Sequence, residues 1–193
     1  HSVTHYLQDL LDRSIPEDER GHYTIKVTQG WEEFNAGALP NGTILISDRM
    51  LTYCQYEEEL QFVLRHEYMH IARQHHALSY RKHKRVDGGS VIDALYQDMG
   101  QMRLHEYEAD LRAGVDDKDL PYNLYGGIRF LERLVETERA TKQASGIVHG
   151  DTMDRLLNLH FVTRMVDSAA LNRDLTKISP EIIAELESKR SLK

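Results

Sequence analysis

The 193-residue chain has one cysteine, four prolines and one tryptophan. A lone Cys54 excludes a disulfide scaffold and any cysteine-based zinc ribbon. No stretch approaches the roughly 20 uninterrupted apolar residues of a membrane span. With 24 basic against 31 acidic residues and a net charge of -7, the chain lacks the positive excess of a general nucleic-acid binder. Internal repeats and low-complexity tracts are absent too. What is there is 40% hydrophobic and 28% charged, a globular composition too apolar for a disordered chain. The length suits one domain over 1–193, with or without a helical appendage. The chain opens at His1, and a signal or anchor removed before that residue fits such a start. Cytoplasm and cell envelope therefore both stay open, as does the oligomeric state.

Hydrophobic periodicity divides the chain into a small β unit followed by helices. Val3, Tyr6, Leu7, Leu10 and Leu11 recur at helical spacing, so 2–13 reads as an amphipathic helix. Residues 23–28 alternate and are rich in β-formers, which makes them a strand. Residues 31–42 read as loop, with Gly37, Pro40 and the Asn41-Gly42 turn signal. Thr43–Ser47 is a second strand and Asp48–Tyr53 one helical turn. A long helix is expected over 57–80, opening with Glu57, Glu58 and Glu59, where the positive dipole end favours them. A second is expected over 90–113 with Gly114 as its C-cap. Further helices are expected at 122–138, 151–170 and 180–188. The expected class is α+β: a small twisted sheet on the first long helix, with a mainly helical C-terminal half.

Eleven histidines is a high number, and two of them make the sharpest feature. His66-Glu67-Tyr68-Met69-His70 is an H-E-x-x-H on a predicted helix. Residues four apart lie about one turn apart on one side, so both imidazoles can reach one Zn²⁺. Glu67 lies beside that face, placed to polarise water at the metal rather than to bind the metal itself. A third ligand is expected from the second long helix, where the apolar stripe Leu95, Met99, Met102 meets Glu106. A carboxylate on a core-facing stripe is costly unless something pairs with it, and a cation held by the first helix is such a partner. Asp110, four residues on, can accept the outer N–H of a ligand imidazole. Glu108 points to the far side.

Other readings compete with this one. His76 gives the metzincin spacing, but Arg73 stands where that motif has Gly. On a continuing helix His76 lies ~15 Å along the axis from His66. His75 and His76 then read as exposed polar residues, His160 as a packing residue and Cys54 as a structural thiol. A basic run at 81–85 is the weak case for an electrostatic binder. A catalytically silent peptide-binding or chaperone module is the alternative to an enzyme.

The two motifs together resemble the gluzincin metallopeptidase family that holds the CAAX prenyl endopeptidase and the bacterial heat-shock protease HtpX. That family pairs H-E-x-x-H with a Glu from an E-x-x-x-D helix, which Glu106-Tyr107-Glu108-Ala109-Asp110 matches. Asn-Ala-Gly-Ala-Leu-Pro-Asn-Gly at 35–42 resembles its N-A-F-A-x-P-x-G segment, with Gly37 in place of Phe. His149-Gly150 and Arg155 resemble its H-P-x-x-x-x-R element, with Gly150 in place of Pro. The resemblance spans about 23–156 and leaves 157–193 as a helical C-terminal extension.

It implies a zinc endopeptidase fold of zincin type, with one Zn²⁺ per chain on His66, His70 and Glu106. Glu67 is then the general base acting on a peptide or protein substrate. The implied edge strand at 43–47 pairs with an extended peptide. The implied substrate-binding residues are Asn35, Ala36, Thr43, Ile44, Leu45 and Ile46. His149 is implied as oxyanion donor, or as the group that holds the enzyme latent, and Arg155 as anchor of that loop through a carboxylate.

Overall fold

The structure is a computed structural model and describes residues 2–29, 35–75, 91–115, 123–141, 151–163 and 173–190. It is α+β, with a three-stranded mixed sheet and helices throughout the C-terminal half. Helix α1 (Val3–Asp12) turns Val3, Leu7, Leu10 and Leu11 into the core. Ser2 caps it by accepting from the His5 N–H, one of the donors a helix start leaves unpaired.

Strands β1 (Thr24–Thr28), β2 (Ala36–Ala38) and β3 (Thr43–Ser47) form a sheet in the order β1-β3-β2. β3 runs parallel to β1 and antiparallel to β2. The β2–β3 hairpin turns at Gly42, whose φ of +84° suits glycine. Asn41 accepts there from the Thr43 N–H. On one face Ile25, Ile44 and Ile46 join Leu7, Leu10, Leu11, Leu60 and Leu64 in one core.

Ser47 caps α2 (Asp48–Tyr53), which leads into α3 (Glu57–Ala72). Every residue of α3 from Glu59 to His70 is buried, so this helix is enclosed on all sides. Polar and charged side chains are among those buried, and each needs a partner. Glu59 accepts from Arg133 at 2.8 Å and from the Gln55 N–H at 2.6 Å. Thr176 covers the start of the helix: its carbonyl accepts from the Glu57 N–H, and its N–H donates to the Glu58 carboxylate.

Among the described residues the remaining α-helices are α4 (Val91–Val115), α5 (Leu124–Thr141), α6 (Thr152–Thr163) and α7 (Pro180–Arg190). α5 crosses α3 closely because Gly126 and Gly127 carry no side chain. A Cβ on Gly126 would come within 2.5 Å of the Glu58 backbone, and one on Gly127 within 2.5 Å of the Phe62 ring. No described helix is long and apolar enough to cross a membrane.

Four expectations need correction. β2 lies inside the stretch read as loop. Ala-Gly-Ala has little strand preference of its own, and it pairs because β3 offers an edge. Helix α3 ends at Ala72, well short of 80, and Gln74 follows at φ 54°. Helix α4 continues through Gly114 to Val115. Finally, the strand Thr43–Ser47 is not an edge. Thr43, Ile44, Leu45 and Ile46 all pair with β1, and Ile44 to Ile46 pair with β2 as well. Both backbone edges of β3 are in use, so it cannot take up a further strand. Among the described residues, the edge of the sheet beside α3 belongs to β2.

Candidate metal centre

Helices α3 and α4 run antiparallel, and Arg65 sets their register. Its guanidinium donates to three backbone carbonyls: Ala113 at 2.7 Å, Arg112 at 3.2 Å and Ser14. Two of these belong to the last turn of α4, where carbonyls lack helical partners and the negative dipole end attracts a cation. Nothing in the sequence singled out Arg65. With 65 fixed opposite 112–113, His66 faces Asp110, and His70 faces Glu106. The stripe of α4 that meets α3 is Glu106, Ala109, Asp110 and Ala113, all buried. Two small alanines let the backbones approach, and two acids supply the polar contacts. Met102, expected on this stripe, is 39% exposed, and the side chains of Leu95 and Met99 lie outside the described set.

His66 Nε2, His70 Nε2 and the Glu106 carboxylate converge. The two nitrogens are 3.1 Å apart, and each lies 3.2 Å from a Glu106 oxygen. All three residues are buried, and together they can hold a metal ion. Tetrahedral Zn²⁺ with bonds of about 2.05 Å separates its ligand atoms by about 3.3 Å, close to these spacings. Charge fits as well. Glu67, Glu106 and Asp110 surround the imidazoles against one guanidinium, Arg155. The excess of two negative charges in a buried pocket suits a divalent cation.

The protonation pattern reports the same imbalance. Burial disfavours charge on His66, but Glu106 and Asp110, opposed by Arg155, overcome it and push its pKa up to about 10. Burial pushes the His70 pKa down. A metal on these nitrogens must displace protons, so the two compete for the site.

Behind His66 stands Asp110, whose Oδ1 lies 2.8 Å from His66 Nδ1. Arg155 on α6 donates to both Asp110 oxygens at 2.6 Å. Burial raises the Asp110 carboxyl, but Arg155 and then His66 hold it below the usual carboxylate range. The outer nitrogen of His66 is thus occupied and its Nε2 faces the centre.

Glu67 is buried and, with His66, Asn35, Ala36 and Arg155, lines a cavity of about 50 Å³. The other walls are apolar: Met50, Phe62, Val63, Phe130 and Leu134. Asn35 and Ala36 sit at the start of β2, so that sheet edge runs to the mouth of this cavity.

Residues 2–97 match the family model of peptidase family M48. The match, just under half of the chain, is a similarity to that peptidase family. It covers H-E-x-x-H but stops before Glu106. Glu106 and Asp110 join His66 and His70 through the packing of α4 on α3. No curated protein matches the chain.

Several expected residues fall elsewhere. His149 and Gly150, His76 and the basic run at 81–85 lie outside the described residues. His160 is exposed rather than packed, 3.8 Å from Glu132. Cys54 is buried in the core, and burial raises its thiol pKa. Tyr68 packs edge-on against Tyr23, whereas the Tyr107 hydroxyl points to Asp154 at 3.4 Å. His75, expected as exposed, is 3% exposed and touches His70. Its environment, burial first and then His70 and His105 against Glu108, pushes its pKa down to about 4.

Proposed function

We propose that the chain is a zinc-dependent endopeptidase of the gluzincin type, with one Zn²⁺ per chain held by His66, His70 and Glu106. The observation that carries this reading is the convergence of those three side chains within 3.2 Å beside the buried carboxylate of Glu67. When bound, zinc supplies a Lewis acid that acidifies water and polarises the carbonyl to be attacked. Glu67 takes the proton of the attacking water as general base and returns it to the amine nitrogen as the C–N bond breaks. Asp110, backed by Arg155, keeps the His66 ring in one tautomer through the cycle.

The substrate is a peptide or protein in extended form. Laid along β2, it adds a fourth strand through backbone hydrogen bonds, which bind many sequences alike. Its chain then passes Asn35 and Ala36 to reach Glu67. An apolar side chain next to the cut bond fills the cavity walled by Phe62, Val63 and Phe130. The Glu106–Asp110 helix supports the branch that holds HtpX and the CAAX prenyl endopeptidase.

The test uses zinc-loaded chain and an unfolded protein substrate. Wild type is expected to cleave it and to stop when a chelator is added. Glu67→Gln is expected to keep its zinc and lose on the order of 10²–10⁴ in rate. Cleavage by Glu67→Gln at the wild-type rate, or a wild type that binds no zinc, overturns the assignment.

A further inference from the structure

We infer that His75 is a positioning residue that holds the His70 imidazole in the tautomer and orientation that metal binding requires. The inference rests on the ligand role proposed above for His70.

The chain reaches this position through its own turn. α3 stops at Ala72, and Arg73 and Gln74 donate back to Met69 and Ile71. Gln74 adopts φ 54°, a left-handed conformation that non-glycine residues rarely adopt. The turn folds His75 back under the last turn of α3 instead of carrying it outward along the helix axis. There its Nδ1 lies 3.1 Å from His70 Nδ1. Its ring stacks on that of His105 at 4.3 Å and 2°, which fixes its plane. Its Nε2 lies 3.5 Å from Glu108 Oε2 and is the one buried side-chain polar atom without a hydrogen-bond partner among the described residues.

Proton counting decides the roles. Two ring nitrogens facing each other at 3.1 Å need one proton between them: two clash and none repels. When His70 gives its Nε2 lone pair to a metal, the neutral ring must carry its proton on Nδ1 and donate it. His75 Nδ1 then accepts, which puts the His75 proton on Nε2, facing Glu108. Glu108 is itself held by Arg112, whose Nε donates to Oε1 at 2.7 Å. The direction of the relay is thus set from the carboxylate inward. An apolar side chain could fill the same volume, but it would offer His70 no acceptor.

The experiment measures zinc affinity of the full chain by chelator competition. His75→Leu keeps the bulk and removes the acceptor; it is expected to weaken binding about 10–100-fold. His75→Asn keeps an acceptor near the Nδ1 position; it is expected to stay within about threefold of wild type. The melting temperature of the metal-free protein is read alongside. Equal zinc affinity in wild type, His75→Leu and His75→Asn, with only the metal-free melting temperature moved, reduces His75 to packing and overturns the inference.

If His75→Leu does not fold, nitrogen NMR of the zinc-loaded wild type supplies the answer. A scalar coupling between the Nδ1 atoms of His70 and His75 is expected. Its absence, with His70 Nδ1 protonated, overturns the inference. Glu106→Ala serves as control. Should it bind zinc as wild type does, the ligand set itself fails and this inference with it. Should it lose zinc while His75→Leu keeps it, only the role of His75 fails.

Discussion

The two imidazoles of the centre are backed in different ways. Behind His66 stands a buried carboxylate, Asp110, locked by two 2.6 Å hydrogen bonds from Arg155. Behind His70 stands a neutral imidazole, His75, whose outer nitrogen is 3.5 Å from a Glu108 side chain that is 38% exposed. The first support joins three packed helices, α3, α4 and α6. The second hangs on a turn at the end of α3 and one partly wet carboxylate. Both fix a tautomer, but only the first places a full negative charge next to its ligand. It follows that His66 is the stiffer and more basic ligand, and that His70 is the one whose alignment a small change can disturb.

Removing the cation from the first support is the largest break. Arg155→Ala leaves Asp110 buried and charged without its main partner. Breaking such a pair costs about 3–5 kcal/mol, far above the effect of a surface ion pair. Calorimetry of the metal-free protein is expected to show that loss. A variant that melts with wild type would mean that solvent reaches Asp110, and the stiff half of the comparison would fall. Asp110→Asn is milder. It keeps a side-chain oxygen for His66 and removes the charge that Arg155 needs. Zinc affinity is expected to fall about 10–100-fold, read by chelator competition. Unchanged affinity would show that charge behind the ligand matters less than shape.

The same contrast marks how far the sequence could be read. His66 and His70, and Glu106 and Asp110, are spaced four apart on single helices. Helix geometry is local, so the spacing alone predicts that each pair shares a face, with Glu67 beside the first. Which groups meet across helices turns on the cost of a buried carboxylate, and that cost is what pairs Glu106 with the first helix. What was not legible depended on distant partners. β2 is three residues, Ala36 to Ala38, and is a strand only because β3 lies alongside. The resemblance implies an edge at β3, and nothing in 23–28 announces that β1 pairs with it in parallel. Arg65 gains its role from carbonyls about 50 positions away. His75 depends on a positive φ at Gln74, a glutamine, which carries no turn signal. Each local rule held where the chain was regular and failed where a neighbour overrode it.

The smallest effect sharpens the second support. Glu108→Gln removes one charge at the far end of the His70–His75 relay and keeps an acceptor oxygen facing His75. The side chain is more than a third exposed, so water screens its charge. Arg112, four residues on in the same helix, loses an ion-pair partner worth about 0.3–0.5 kcal/mol at such a site. Zinc affinity is expected to drop less than about threefold, well short of the loss for Asp110→Asn. The ratio of the two losses measures how unequal the supports are. Equal losses would mean that the exposed carboxylate couples to His70 as strongly as the buried one does to His66. The difference between a dry and a wet second partner would then carry no weight in holding the metal.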